Sequence, residues 1–299
     1  MRSPLTVAVA QCASRPGDVA ENLARHRHFI AGAKAAGADM LVFPELSLVG
    51  HTGAEALLDV AMPSRDPRLV ALSREAGEMT LVVGFVEEGP SAQFYNTSAV
   101  YRGGALVHLH RKINLPSYGR LVETKYYAAG RFVDVHRMGG EGAGANGGDW
   151  IMGRLICADL YNPALAHLSV LHGATMLVAP VSSAREAVGD AFDNPGSWAT
   201  TVRFYAMMYG APVVMANRVG NEGELSFWGG SRILDPHGRI LAEAGEEEAL
   251  IHATLDYDEV RAARASLPTV RDSNLALVHR ETTRLIETLG VPSVVRDEG

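Results

Sequence analysis

With only two cysteines in 299 residues, Cys12 and Cys157, the chain has no material for a disulfide framework and no CxxC metal or redox motif. No uninterrupted apolar run approaches the roughly 20 residues that span a bilayer, so no membrane partner is expected. The opening Met1-Arg-Ser-Pro leads into an apolar strand rather than a signal sequence, and the expected location is cytoplasmic. Basic runs are missing as well, and a formal charge of -7 offers no field for phosphate backbones, which argues against nucleic acid and for a small-molecule partner. No Pro/Ser-rich linker or composition break divides the chain. Residues 1–299 therefore read as one domain, ending in a polar tail of ~10 residues expected to be mobile.

What is present is an ordinary globular composition, 47% hydrophobic and 20% charged, enough for a sizeable core. Strand and helix patterns alternate, which defines an α/β fold with one large sheet or two. Leu5 to Gln11 reads as a buried strand. Val19 to Ala36 reads as an amphipathic helix with Leu23, Phe29, Ile30 and Ala33 on one face. Tyr95 to Tyr101 and Ala105 to Lys112 form a hairpin about Gly103-Gly104, and Gly229 to Leu255 a strand pair turning at Asp235-Pro-His-Gly238. The phrase Gly37-Ala-Asp-Met-Leu-Val-Phe-Pro44 recurs as Gly173-Ala-Thr-Met-Leu-Val-Ala-Pro180, which suggests two related halves, each bringing a strand end to a common site. Residues 139 to 148 are too glycine-rich for regular structure and read as a surface turn. His108 and His110 share one side of a strand, but no third ligand accompanies them, so no metal is expected.

The stretch Arg154-Leu-Ile-Cys-Ala-Asp-Leu-Tyr-Asn-Pro163 carries the chemical signal. A strand through Trp150 to Ile156 and a helix opening near Pro163 place Cys157 on the sharp turn between them, with backbone N–H groups beside it for an oxyanion. Cys12 closes an apolar strand and reads as core.

Three segments, Phe43-Pro-Glu45, His110-Arg-Lys112 and Ile156-Cys157-Ala-Asp159, resemble the Glu-Lys-Cys triad segments of the nitrilase (carbon–nitrogen hydrolase) superfamily. Asn217-Arg-Val-Gly-Asn-Glu222 and Gly230-Ser-Arg-Ile-Leu-Asp-Pro-His-Gly238 resemble its later motifs, so the likeness runs over nearly the whole chain. Glu45-Leu-Ser-Leu-Val-Gly50, Leu115-Pro-Ser-Tyr-Gly119 with Glu123, and Asp159-Leu-Tyr-Asn-Pro163 are most similar to the glutamine-hydrolysing domain of NAD synthetases and its free-standing relatives. With no synthetase segment in the sequence, the expectation is a stand-alone amidase.

The resemblance implies a four-layer αββα sandwich that pairs into a homodimer or larger assembly, and no cofactor. It makes Cys157 the nucleophile, Glu45 the general base, Lys112 the cation at the oxyanion and Glu123 a second carboxylate. Tyr118 becomes a pocket wall, the Ala158 N–H an oxyanion donor, and Ser183 with Arg185 stand-ins for substrate-contacting residues. Ala179 to Arg185 lacks the Ser-Pro-Phe and following basic residue of the glutaminases, so glutamine is not the expected substrate. A small non-peptide amide, cleaved to acid and ammonia through a thioester, fits best. A nitrilase acting through a thioimidate and a non-catalytic binder that keeps the fold are the alternatives.

Overall fold

The computed structural model describes residues 4–51, 56–138 and 150–290. The expected glycine-rich turn at 139 to 148 and the expected mobile tail beyond residue 290 lie outside the described residues.

Period-two alternation along the strands sorts their side chains into separate apolar clusters, and this sorting builds the layers. In β1 (Leu5–Gln11), Val7 and Val9 enter one cluster while Ala8 and Ala10 enter another. The following strand, β2 (Met40–Val42), repeats the split, with Met40 and Val42 on one side and Leu41 on the other. These strands join β3 (Thr80–Glu88), β4 (Phe94–Arg102), β5 (Ala105–Arg111) and β14 (Ala249–Leu255) in a six-stranded sheet of order β14-β1-β2-β3-β4-β5. A second six-stranded sheet, of order β13-β12-β9-β8-β7-β6, holds β6 (Val135–Arg137), β7 (Ile151–Arg154), β8 (Met176–Pro180), β9 (Val213–Ala216), β12 (Arg232–Leu234) and β13 (Ile240–Glu243). Between them lies a shared core in which Val7, Val9, Met40, Val42 and Val82 meet Met152, Met176, Val178, Val214 and Ile233.

Helices cover both outer faces. Leu23, Phe29, Ile30 and Ala33 of α1 (Val19–Ala35) and Leu69 and Leu72 of α3 (Pro67–Ala76) pack with Ala8, Leu41 and Leu81 of the first sheet, while the short α2 (Leu57–Val60) adds Val60. On the far side α4 (Pro163–Leu171) and α5 (Asn194–Tyr209) supply Leu165, Val170, Trp198 and Val202 to a cluster with Leu177, Val213 and Met215. The result is the four-layer αββα sandwich. At one end α6 (Tyr257–Ser266) inserts Tyr257 and Val260 into the inter-sheet core, whereas α7 (Leu275–Leu289) buries none of its residues.

The segment Gly229 to Leu255 departs from the expected pair of strands. β12 and β13 do pair across Asp235–Gly238, but β14 leaves them and runs antiparallel to β1 in the other sheet. A further hairpin, β10 (Val219–Glu222) with β11 (Leu225–Trp228), stands apart as a two-stranded sheet. The echoed phrases become β2 and β8, each parallel to its neighbours within its sheet, and both run on toward the same place. Among the described residues no helix is long and apolar enough to cross a membrane.

Candidate active site

Each strand end carries one charged or reactive side chain to a common point. Past β2 the backbone turns sharply, with Leu46 at φ 51, and Glu45 is buried. Gly84 of β3 makes this turn possible, because a Cβ there would lie 2.6 Å from both the Pro44 carbonyl oxygen and the Leu46 nitrogen. Lys112 leaves the end of β5 with its N–H donating to the Asn96 carbonyl at 2.9 Å, and its side chain is fully enclosed. Glu123 opens a 3-10 turn (Glu123–Lys125) in the loop that follows.

The three side chains meet. Lys112 Nζ donates to Glu45 Oε1 at 2.6 Å and to Glu123 Oε1 at 2.7 Å. Asn96 Nδ2 donates to the same Glu45 oxygen at 2.8 Å, and the Ser182 N–H, just past β8, donates to Glu45 Oε2 at 2.9 Å. Glu45 is thereby fixed by groups from both sheets. Glu123 Oε2 is buried with no hydrogen-bond partner, which leaves one acceptor position unfilled.

Cys157 sits between β7 and α4 at φ 46, a left-handed conformation costing a non-glycine residue about 1–2 kcal/mol. A 3-10 turn (Cys157–Asp159) starts there, and its own hydrogen bonds begin with the Asp159 N–H, as at any helix start. Asn162 then caps α4, accepting from the Ala164 N–H, with Pro163 in the first helical position.

Asp159 holds the turn in place. Its Oδ2 accepts from the Ile156 N–H at 3.1 Å and lies 3.0 Å from His110 Nε2, while Oδ1 accepts from the N–H groups of Ile113 and Asn114 at 3.0 and 2.7 Å. One buried carboxylate thus ties the Cys157 turn to the segment that carries Lys112.

The charges decide the resting protonation states. Withdrawal from water pushes the Cys157 thiol well above its ordinary value, and the Glu45 charge adds to this; Lys112 and the Ser182 N–H oppose it and are outweighed. The sulfur therefore rests as a thiol. Lys112 behaves in the opposite way: burial alone would lower it, but Glu123 and Glu45 hold it well above the usual lysine range, so it stays an ammonium. Burial lifts Glu123 to about 7, helped by Glu45 and opposed by Lys112.

In front of Cys157 lies a small pocket walled by Tyr118, Leu121, Tyr161, Val188 and Trp198. Tyr118 and Ala158 line it. Ser183 lines it too, but its Oγ already accepts from Asn194 Nδ2 at 2.8 Å and Trp198 Nε1 at 3.0 Å, so it also braces the floor. Trp198 combines packing with a place in that wall.

Arg185 does not join the pocket: it is exposed and paired with Glu246 at 2.7 Å. The two histidines of β5 have separate tasks, His110 on Asp159 and His108 against Arg154, and no metal-ligating cluster of three occurs among the described residues. Asn96 and the Ser182 N–H were not foreseen. The only signal for Asn96 was a polar run, Asn96-Thr-Ser98, inside a strand, and a backbone N–H has no residue-type signal at all.

The model of the carbon–nitrogen hydrolase family matches residues 6–265, and the chain belongs to that family. It is 31% identical over 283 residues to an (R)-stereoselective amidase of Pseudomonas sp., covering 93% of this chain and 94% of that protein. It is 30% identical over 262 residues to the glutamine-dependent NAD(+) synthetase of Thermotoga maritima, covering 85% of this chain and 42% of the synthetase. The chain thus spans less than half the length of that synthetase, in line with the expected likeness to one part of such enzymes. Among solved structures, an amidase from Nesterenkonia sp. superposes with a TM-score of 0.72 at 26% identity, over 89% of this chain and 96% of that one.

Proposed function

We propose that the chain is an amidase that cleaves a small non-peptide amide to acid and ammonia through a thioester on Cys157. The observation that carries this reading is one buried ammonium, Lys112 Nζ, held at 2.6 and 2.7 Å between two carboxylates whose charges both act on the Cys157 sulfur.

Because the thiol rests protonated, it needs a base at the moment of attack, and Glu45 is that base. As the sulfur adds to the amide carbon, its proton passes to Glu45 and negative charge gathers on the former carbonyl oxygen. Lys112 and the Ala158 N–H stabilise that oxyanion, and each such donor typically lowers the barrier by about 3 kcal/mol. Glu45 then gives its proton to the departing ammonia. In the second half-reaction it takes a proton from water, which attacks the thioester, and it returns that proton to the departing Cys157 sulfur as the acid is freed, restoring the resting thiol. Glu123 keeps Lys112 oriented, and its open Oε2 accepts from the substrate nitrogen or the attacking water.

In this reading residues 1–299 act as one catalytic unit in the cytoplasm, paired into a homodimer or larger assembly, which light scattering on the purified protein tests. For the chemistry, ammonia release is measured across aliphatic amides, glutamine, asparagine and N-carbamoyl compounds, with intact mass following an acyl adduct. The expected result is ammonia with a transient adduct on the parent and neither on Cys157→Ala. Ammonia release undiminished in Cys157→Ala would overturn the proposal, and a matched nitrile consumed in preference to its amide would reassign the activity.

A further inference from the structure

The pocket walls define the kind of acyl group that fits. We propose, building on the amidase reading, that this site takes an uncharged and mainly apolar acyl chain and discriminates against amides whose acyl side carries a formal charge, glutamine included.

The side chains around the cavity, beyond Cys157 itself, are aromatic, aliphatic or neutral polar. Tyr118, Tyr161 and Trp198 give it aromatic faces and Leu121 and Val188 aliphatic ones. Its amide, Asn194, is already committed: Nδ2 donates to Ser183 Oγ and to the Ala184 carbonyl at 2.6 Å, while Oδ1 accepts from Tyr161 OH at 3.1 Å. Among the described lining residues Ser182 Oγ is buried and without a partner, which suits one neutral hydrogen-bonding group near the sulfur.

The charged residues next to the lining segments along the chain serve one another. Arg120 reaches Glu224 at 3.1 Å and Asp190 at 3.6 Å, Arg185 reaches Glu246, and Glu186 accepts from the Ser226 N–H at 2.9 Å. The glutamine α-ammonium and α-carboxylate would enter this pocket without counter-charges on its walls, and burying an unpaired charge costs several powers of ten in binding. A neutral chain loses nothing of that kind, and each methylene buried against these walls should raise kcat/KM about fourfold until the pocket is full.

The test uses the native chain with acetamide, propionamide, butyramide, 4-aminobutyramide and glutamine, reading binding by saturation-transfer NMR and turnover by ammonia release. The expected result is a rise from acetamide to butyramide and a preference for butyramide over the two charged amides of at least about a hundredfold. Val188→Asp, a half-buried loop position, should lower butyramide turnover and raise that of 4-aminobutyramide, so that their ratio falls by at least about tenfold. Glutamine turned over within tenfold of butyramide would overturn the pocket proposal and leave the amidase reading standing. Butyramide bound selectively with no ammonia would uphold the pocket and sink the amidase reading, and a panel in which no neutral amide binds or reacts would overturn both.

Discussion

Asp159→Asn probes the joint between the nucleophile and the lysine. The carboxylate has no solvent exposure and engages three backbone N–H groups and one imidazole, all between 2.7 and 3.1 Å. In the variant, the amide oxygen can keep Ile113 and Asn114, which turns the NH2 toward Ile156 and His110. His110 can adapt by exchanging tautomer and accepting from it. The Ile156 N–H cannot, because it faces another donor. The loss is one charge-assisted hydrogen bond plus the cost of a buried, unpartnered N–H, together about 2–4 kcal/mol. For a chain of this size that lowers Tm by about 4–8 °C, measured by scanning calorimetry at fixed pH. Because Ile156 immediately precedes the strained Cys157, its release also shifts the sulfur, and kcat should fall by about a hundredfold. A Tm and kcat both equal to those of the parent would refute the idea that this carboxylate holds the turn.

Lys112→Met leaves two buried carboxylates facing each other without their cation; unfolding in urea should show a loss of about 3–5 kcal/mol, and kcat a loss of at least about a thousandfold, whereas near-parent activity would remove Lys112 from the chemistry. Glu123 titrates at about 7 when folded and near 4.5 when unfolded, so between those values the folded chain holds the extra proton; the stability this group contributes is whole below pH 4.5 and lost as pH rises through 7. Glu123→Gln removes that dependence, and its Tm should gain on the parent's from pH 5 to pH 8; a constant difference would show that the folded group titrates elsewhere. Cys12 is enclosed, whereas Cys157 opens onto the pocket near the base Glu45, so iodoacetamide should label only Cys157 in the native protein and both thiols after denaturation, as counted by intact mass.

The Cys157 turn was legible because its signals are local: an apolar strand before it, Asn162 and Pro163 opening a helix after it. Glu45 and Lys112 are ordinary residues in their own neighbourhoods and became legible only through the resemblance of whole segments to a family. The sandwich itself came the same way, since alternation identifies β14 as a strand but cannot say that it pairs with β1, more than 230 residues away. Arg185 failed as a substrate contact because its nearness to Ser183 along the chain says nothing about direction; the side chain points outward to Glu246. The His108 and His110 side of β5 turns inward, while Val107 is exposed, so reading the apolar positions as the buried face would have inverted that strand.

The site's geometry follows from the two-sheet architecture. A buried ammonium and its carboxylate partners are stable only if they are held together, because removing the lysine leaves carboxylate charge out of water without a cation. No single loop can do this. Glu45 comes off β2 and Lys112 off β5 in one sheet, while Ser182 comes off β8 and Cys157 off β7 in the other. The inter-sheet core of Val7, Val42, Val82, Val178 and Val214 fixes how those ends face each other, and Asp159 and the Ser182 N–H fasten them across the gap. The strained backbone at Cys157 is sustained by the same arrangement. Cavities cut into that core, far from any reacting atom, should therefore lower activity by moving one strand end relative to another before the fold itself is lost.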